Sequence, residues 1–219
     1  MTLHPEAICK QLYKEREYPE FQALNKMYLM QKNLQKFISN KRNLISPPDS
    51  EADLTISHIQ DYVTKHYTYA NLELYNEYFY AIGGNKEELA FEFIDIVHFV
   101  FNVLIYSGVQ NLKAIEFEEI FESHIPNENM KFDRLARALN ISLCDFINAL
   151  PYKTWKTYSE PPVELIDWAY IDTQKSYIVK NLVKLAIYTG LTKEEFYSYY
   201  LSKNEENYER QLDNKKGYN

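Results

Sequence analysis

Residues 87–108, EELAFEFIDIVHFVFNVLIYSG, decide the fold because they predict a long helix that is apolar around most of its circumference. Polar residues recur along this segment at steps of four, three, three and four, so they form one ridge of the helix. The members of this acidic ridge are Glu88, Glu92, Asp95, His98 and Asn102. An ionised carboxylate in a core is destabilising unless it is paired, and residues 87–106 contain no Lys or Arg. The ridge therefore needs water along a narrow polar face, a cationic side chain from another helix, or a bound cation.

Composition places the chain among ordinary globular proteins. Its 219 residues are 46% hydrophobic and 25% charged, which is enough for one sizeable domain or one domain with an insertion. Only 5 Gly and 8 Pro are present, which argues against a barrel or sandwich of many short strands. The net charge of −7 argues against a general nucleic-acid binder, although it is compatible with carboxylates that hold divalent cations around a phosphorylated substrate.

Cysteine usage and hydropathy give an expected compartment. Cys9 and Cys144 form no CxxC pair, which favours a reduced, cytoplasmic protein without disulfides or a thiolate zinc site. No signal peptide is expected at the N-terminus, and the longest apolar run is interrupted by Asp95, His98 and Asn102. No membrane span is therefore expected.

The other segments are also predicted to be helical. Apolar residues at helical spacing predict helices over residues 20–40, 54–82, 85–108 and two more near the C-terminus, the last with Thr192 as its N-cap. Residues 112–175, which lie between the helix over 85–108 and the two C-terminal helices, contain four prolines and short apolar groups. The sequence therefore predicts an all-α helical bundle in which residues 1–111 and 176–219 form the core and 112–175 form an inserted small helical subdomain.

Two further polar faces complement the acidic ridge. Glu73, Asn76 and Glu77 share one face of the preceding helix, and two antiparallel helices with such faces can direct four oxygen ligands into one cleft, as Mg²⁺ prefers. Lys203, Asn207 and Arg210 lie at i, i+4 and i+7 near the C-terminus and suit phosphate, although such a face alone is more often solvated surface. Together the three faces predict a site for a complex of Mg²⁺ with a polyphosphate.

The segments EFIDIVHFVFN (92–102) and YYLSKNEENYERQLDNKKGY (199–218) resemble motifs of the all-α NTP pyrophosphatases. The resemblance is to the dimeric dUTPases and the phage dCTP/dUTP pyrophosphatases, and it covers under half of the chain. It implies a helical homodimer that hydrolyses a pyrimidine deoxynucleoside triphosphate to its monophosphate and pyrophosphate. It also implies two or more Mg²⁺ ions as cofactor, with Mn²⁺ as a substitute.

The resemblance also implies roles for individual residues. Glu77 and Glu92 are expected to be catalytic, Glu77 as the base that accepts a proton from water. The expected metal ligands are Glu73, Glu77, Glu92 and Asp95; the phosphate-binding residues are Lys203, Asn207 and Arg210; the nucleoside-binding residues are Gln31, within MQKNLQ (30–35), His98, Phe99, Asn102 and Tyr218.

This chain departs from the family pattern in several places. The family has Glu-x-x-Glu where this chain has Glu73, Asn76 and Glu77, so either Asn76 or Glu77 supplies the second ligand, and the following EYFYAIGG favours Glu77. The Trp-Lys segment of the family is missing, and a Lys-x-x-Lys version occurs later, in PYKTWKTY (151–158). The preference for dUTP or dCTP, and the sharing of one site between two subunits, stay open.

Other patterns favour a structural interpretation. Glu164 and Asp167 repeat the Glu-x-x-Asp spacing, but Glu164 is interpreted as a first-turn helix acid. Residues 132–150 resemble a helix-turn-helix with its turn at Asn140, but the second helix has no Lys or Arg, so DNA binding is not expected. A helical interaction protein is the non-enzymatic alternative. The remaining histidines show no ligand spacing and are interpreted as surface or core residues: His4, His58, His66 and His124.

Overall fold

The computed structural model describes residues 23–50, 53–112, 117–123, 131–152 and 167–212. These residues form helices and contain no strand, which confirms the predicted all-α class, whereas the pyrophosphatase type of bundle remains a prediction. The helices are α1 (Ala23–Arg42), α2 (58–81, continuous), α3 (Lys86–Tyr106), α4 (Phe117–Ser123), α5 (Phe132–Ala149), α6 (Trp168–Tyr188) and α7 (Lys193–Leu212).

Helix α2 is continuous but contains two π-helical segments, His58–Val63 and Glu73–Glu77. In the second segment the amide group of Tyr78 donates to the carbonyl group of Glu73, five residues back. A π-helical turn is wider than an α-helical turn, so the regular 100° step does not apply within this segment. The angles between residues 73, 76 and 77 around the helix axis therefore differ from those of the regular α-helix on which their predicted common face was based.

Local signals fix the ends of α3 near the predicted residues. The helix begins after Asn85, whose side-chain oxygen accepts a hydrogen bond from the amide group of Glu88 at 2.8 Å. It ends before Gly108, which has a φ of 87°, and Gly83 in the preceding turn has a φ of 91°. Because the turn between α2 and α3 is short, the two helices run antiparallel.

Helix α3 is the centre of the bundle and packs against α1, α2, α6 and α7. Phe93, Val97, Phe101 and Leu104 are fully buried. By length and composition α3 is apolar enough to cross a membrane, with a mean hydropathy of 1.8, but 72% of this stretch is buried inside the protein. Burial of this kind is typical of the central helix of a bundle.

The helix-turn-helix pattern of residues 132–150 does not form a turn. Residues Phe132–Ala149 form a single helix, α5, without a turn at Asn140. The Asn140 side chain instead accepts a hydrogen bond from the Tyr67 hydroxyl group of α2 at 2.7 Å. Apolar packing along the whole length of α5 therefore overrides the local turn signal.

Helices α5 and α6 pack along each other, and their apolar residues belong to the same core as α3. The expected domain boundary between residues 175 and 176 falls inside α6, which is one continuous helix. Asp167, a member of the second Glu-x-x-Asp pattern, caps α6 by accepting a hydrogen bond from the amide group of Tyr170 at 3.0 Å. Glu164 lies outside the described residues.

Candidate functional site

Three carboxylates from two antiparallel helices converge at the surface of the bundle. Glu73 comes from α2, and Glu92 and Asp95 are one turn apart on α3. One oxygen from each lies within 4.8 Å of the others, and all three residues are partly buried. This group, called here the three-acid cluster, contains three of the four predicted metal ligands.

The close approach of these groups disfavours their charged forms. Burial raises the pKa of Glu73 to about 7, and repulsion from Asp95, Glu92 and Glu77 adds to this effect. The pKa of Glu92 is raised by burial and by Asp95, and that of Asp95 is raised by burial against the opposing attraction of Lys203. The cluster therefore carries an excess of negative charge that a further cation would neutralise.

Lys203 of α7 is the cationic partner that the acidic ridge requires. Its Nζ lies 2.8 Å from Oδ2 of Asp95, and the two side chains are only 11% and 23% exposed. The same Nζ lies 4.0 Å from Glu206 and 5.7 Å from the centre of the Phe91 ring. The predicted phosphate-binding lysine is thus placed at the three-acid cluster, where a carboxylate now holds it.

The other two predicted phosphate-binding residues also line this side of α7. Arg210 pairs with Glu206 one turn before it. The positive charge of Arg210, like that of Lys203, opposes the rise in the pKa of Asp95 that burial causes. Asn207 places its amide nitrogen 3.1 Å from Nδ1 of His98 on α3. The predicted basic face of α7 therefore faces the acidic ridge of α3.

Asn76 and Glu77 are both exposed, and neither is a member of the three-acid cluster. The negative charge of Glu77 nevertheless raises the pKa of Glu73 and of Glu92, so its carboxylate is near them. The assignment of Glu77 as a metal ligand and base remains a prediction.

The predicted nucleoside-binding residues begin one turn beyond Asp95 on α3. Gln31 of α1 is buried and donates from Nε2 to Oδ1 of Asn102 at 2.8 Å. Nδ2 of Asn102 lies 3.4 Å from Nδ1 of His66 on α2. Phe99 is partly buried, with its ring 6.0 Å from that of His66. Tyr218 lies outside the described residues.

His66 belongs to this group although its sequence context gave no ligand spacing. Its ring stacks on Tyr106 at 5.5 Å, and burial lowers its pKa to about 3, so it is neutral. His66 precedes Glu73 by seven residues, and Asn102 follows Asp95 by seven. In a pair of antiparallel helices, these equal spacings place His66 opposite Asn102 when Glu73 lies opposite Asp95. The matching seven-residue spacing in the sequence could therefore have identified His66 as part of the site.

The donor set of the three-acid cluster fits a hard divalent cation. Its ligands are carboxylate oxygens, which Mg²⁺ prefers, and no thiolate or imidazole is a member. Mn²⁺ accepts the same ligands and fits as a substitute. A bound cation would also neutralise the excess negative charge of the cluster and favour the ionised forms of the three carboxyl groups, whose pKa values are raised in its absence.

No protein-family model matches this chain, and neither a curated protein nor a solved structure is significantly similar to it. The likeness to the all-α NTP pyrophosphatases therefore depends on the two sequence motifs.

Proposed function

We propose that this protein is a Mg²⁺-dependent dUTP diphosphatase that releases dUMP and pyrophosphate. The observation that carries the proposal is the convergence of Glu73, Glu92 and Asp95 beside Lys203. Three acids and a lysine at one partly buried position suit a ligand that brings both divalent cations and negatively charged phosphates. The choice of reaction, hydrolysis to a monophosphate and pyrophosphate, rests on the two motifs that resemble those of the pyrophosphatases.

Glu73, Glu92 and Asp95 would hold Mg²⁺, and Glu77 lies exposed beside them. When bound there, the ion would supply positive charge that neutralises the triphosphate and lowers the pKa of the attacking water. Glu77 is the base that receives the proton, because it is outside the cluster and its side chain is accessible.

The basic face of α7 binds the phosphates. Lys203 exchanges its contact with Asp95 for a phosphate oxygen when the substrate arrives, and Arg210 makes the same exchange with Glu206. Both cations then stabilise the charge that develops on the leaving pyrophosphate. Asn207 stays on His98 and fixes the position of α7 against α3.

The test is pyrophosphate release from dUTP, dCTP, dATP, dGTP and dTTP in the presence of Mg²⁺. We expect hydrolysis of a pyrimidine substrate, loss of activity in EDTA, and a fall of about two orders of magnitude or more in Glu92→Ala and Asp95→Ala. Glu209→Ala is the matched control, since Glu209 is an exposed acid of α7 outside the site. Full activity in Glu92→Ala and Asp95→Ala would refute the assignment of the site.

Hydrolysis of dCTP, alone or together with dUTP, is the alternative within the same reaction class, and the same panel decides it. The homodimer implied by the motifs is part of this proposal and is measured by light scattering of the purified protein.

A further inference from the structure

Four basic side chains on helices α5 and α6 lack an acidic partner among the described residues. This group, called here the α5–α6 cationic face, consists of Arg134, Arg137, Lys180 and Lys184. The first three are exposed and Lys184 is partly buried. None of the four makes an ion pair with a described acid, whereas Lys175 of the same pair of helices is held by Asp172. The described part of the chain therefore leaves this positive charge uncompensated.

The contacts between α5 and α6 place these side chains along the same length of the two helices. Asn181 of α6 donates a hydrogen bond to Oγ of Ser142 on α5 at 2.8 Å, and the rings of Phe132 and Tyr188 lie 6.5 Å apart. The two helices therefore run antiparallel, with residues 132–142 beside residues 181–188. Because the inner sides of both helices are buried in the common core, their exposed side chains point outward on the same side.

Charge is segregated along this pair of helices. Residues 131–137 and 180–188, at one end, contain five basic residues and a single acid, Asp133. Asp145, Asp167 and Asp172 lie at the opposite end. The net charge of −7 for the whole chain therefore conceals a positive region, where a negatively charged partner is attracted at short range.

The two lysines of the face repel each other. Lys180 and Lys184 are one turn apart on α6. Burial lowers the pKa of Lys184, and the positive charge of Lys180 lowers it further. No carboxylate of the described residues, including those of α4 on α6, offsets this effect. An anionic group bound beside the two lysines would relieve the repulsion.

An exposed tyrosine continues the line of basic side chains on α6. Tyr177 precedes Lys180 by three residues and Lys184 by seven, so the three side chains lie on one stripe of the helix. The Tyr177 side chain is 52% exposed, and that of Tyr170, two turns earlier, is 44% exposed. Proteins bind single-stranded nucleic acids with exposed aromatic rings beside basic groups, because the rings stack on bases and the cations contact phosphates. An acidic peptide would match the charge but gives the ring no base to stack on.

We propose that the α5–α6 cationic face binds single-stranded nucleic acid, with its four basic side chains on the phosphates and Tyr177 stacked on a base. This activity is separate from the proposed hydrolysis of a triphosphate and does not depend on it. The binding is independent of base sequence, because phosphate contacts and stacking do not read base edges. It also differs from the binding of a helix-turn-helix, whose second helix enters the major groove of a duplex.

Fluorescence anisotropy of a labelled oligothymidylate with the full chain tests this inference. We expect a dissociation constant of about 1–100 µM at physiological salt. Four phosphate contacts should lower the affinity about 50-fold between about 50 and 200 mM NaCl, since each contributes about 0.7 to the slope of log K against log salt on a single strand. A duplex of the same length should bind about tenfold more weakly, because its bases are already stacked on each other.

Two double variants test the phosphate contacts. Arg134→Gln with Arg137→Gln, and Lys180→Gln with Lys184→Gln, each remove two contacts and should reduce the salt slope by about 1.4. Lys175→Gln is the matched control, because it removes the same charge from α6 at a lysine that Asp172 already holds. We expect Lys175→Gln to keep the slope of the wild type.

Substitution of Tyr177 tests the stacking contact. Tyr177→Ala should weaken binding of the oligothymidylate about fivefold or more and leave the salt slope unchanged, because it removes a ring and no charge. Tyr177→Phe keeps the ring and should bind like the wild type. Equal affinities of Tyr177→Ala and Tyr177→Phe would show that the ring does not stack on a base and would overturn the inference.

Binding at the three-acid cluster is distinguished by competition. Lys203→Met and an excess of pyrophosphate should leave the binding of the oligothymidylate unchanged, whereas a loss in either case would place the strand at the cluster and overturn the inference. Equally tight binding of polyglutamate, unaffected by Tyr177→Ala, would identify the partner as an acidic peptide and would also overturn it.

The outcomes for the wild type and the enzymatic assay separate this inference from the proposed function. No binding of the oligothymidylate at about 50 mM NaCl, or equal binding of the duplex, would refute the inference even if dUTP is hydrolysed. Both double variants should release pyrophosphate from dUTP at the wild-type rate. Binding of the single strand without hydrolysis of any triphosphate would support the inference and refute the proposed function.

Discussion

Replacing Glu73 with Gln should stabilise the metal-free protein at alkaline pH. The variant keeps the shape of the side chain and removes one negative charge from the three-acid cluster, where Glu73 lies near Glu92 and Asp95. In the wild type, ionised Glu73 is disfavoured by burial and by its acidic neighbours. The glutamine therefore removes a repulsion that the folded state contains and the unfolded chain lacks.

The structure gives the size and the pH dependence of this effect. The pKa of Glu73 is raised from 4.5 to about 7, and at about 1.4 kcal/mol per pKa unit this sets a ceiling of about 3.4 kcal/mol. Solvent screens a half-buried group, so we expect about 1–2 kcal/mol. Below pH 4.5 both states hold the proton and the wild type has no penalty. As the pH rises to about 7 the folded state keeps a proton that the unfolded chain has lost, so stability falls, and the penalty is complete above that pH.

Urea unfolding in EDTA at about pH 4 and at about pH 8.5 measures this difference. Glu73→Gln should match the wild type within a few tenths of a kcal/mol at the lower pH and exceed it by about 1–2 kcal/mol at the higher pH. Glu209→Gln is the control, because Glu209 is exposed on α7 and should change neither value. Equal stability of Glu73→Gln and wild type at both pH values would refute the electrostatic argument.

Addition of Mg²⁺ should reverse the order of stability. A cation that binds only the folded state stabilises it by mass action, and the wild type has one more carboxylate to hold it. Melting curves at increasing Mg²⁺ should therefore rise more steeply for the wild type than for Glu73→Gln. Parallel curves would contradict the assignment of Glu73 as a metal ligand.

Three further substitutions test the contacts around the site. Lys203→Met leaves Asp95 without its ion pair and should lower the free energy of unfolding in EDTA by about 2 kcal/mol, between the values for surface and buried pairs, with partial recovery in Mg²⁺. Gln31→Leu leaves the buried Oδ1 of Asn102 without its donor and should cost about 1–3 kcal/mol in urea unfolding. Thr192→Ala removes the hydroxyl that accepts from the amide group of Glu195 at 3.1 Å, and should lower Tm by about 2–4 °C for a loss of about 1 kcal/mol. Unchanged stability in any of the three would show that the corresponding contact contributes little.

The sequence alone determined the helices and the ends that have local signals. The periodicity of residues 87–106 predicts α3 because burial of an apolar helix follows directly from the spacing of its side chains. Asn85 and Thr192 act as caps because an N-cap contacts only the next few residues of the chain. The need of the acidic ridge for water, a cationic side chain or a bound cation also followed from sequence, since residues 87–106 contain no Lys or Arg.

Tertiary structure decided which polar side chains meet. Glu73 joins the three-acid cluster and Glu77 stays exposed, a difference that no local pattern indicated. Residues 132–150, which resemble a helix-turn-helix in sequence, form one helix, because packing against α6 and the contact of Asn140 with α2 override local turn propensity.

His66 of α2 became recognisable as part of the site through its contact with α3, a helix distant in sequence. Nδ1 of His66 lies 3.4 Å from Nδ2 of Asn102. Sequence spacing describes which residues share a face of one helix. The register between two helices depends on how their side chains fit together, and this register brings His66 of α2 to Asn102 of α3.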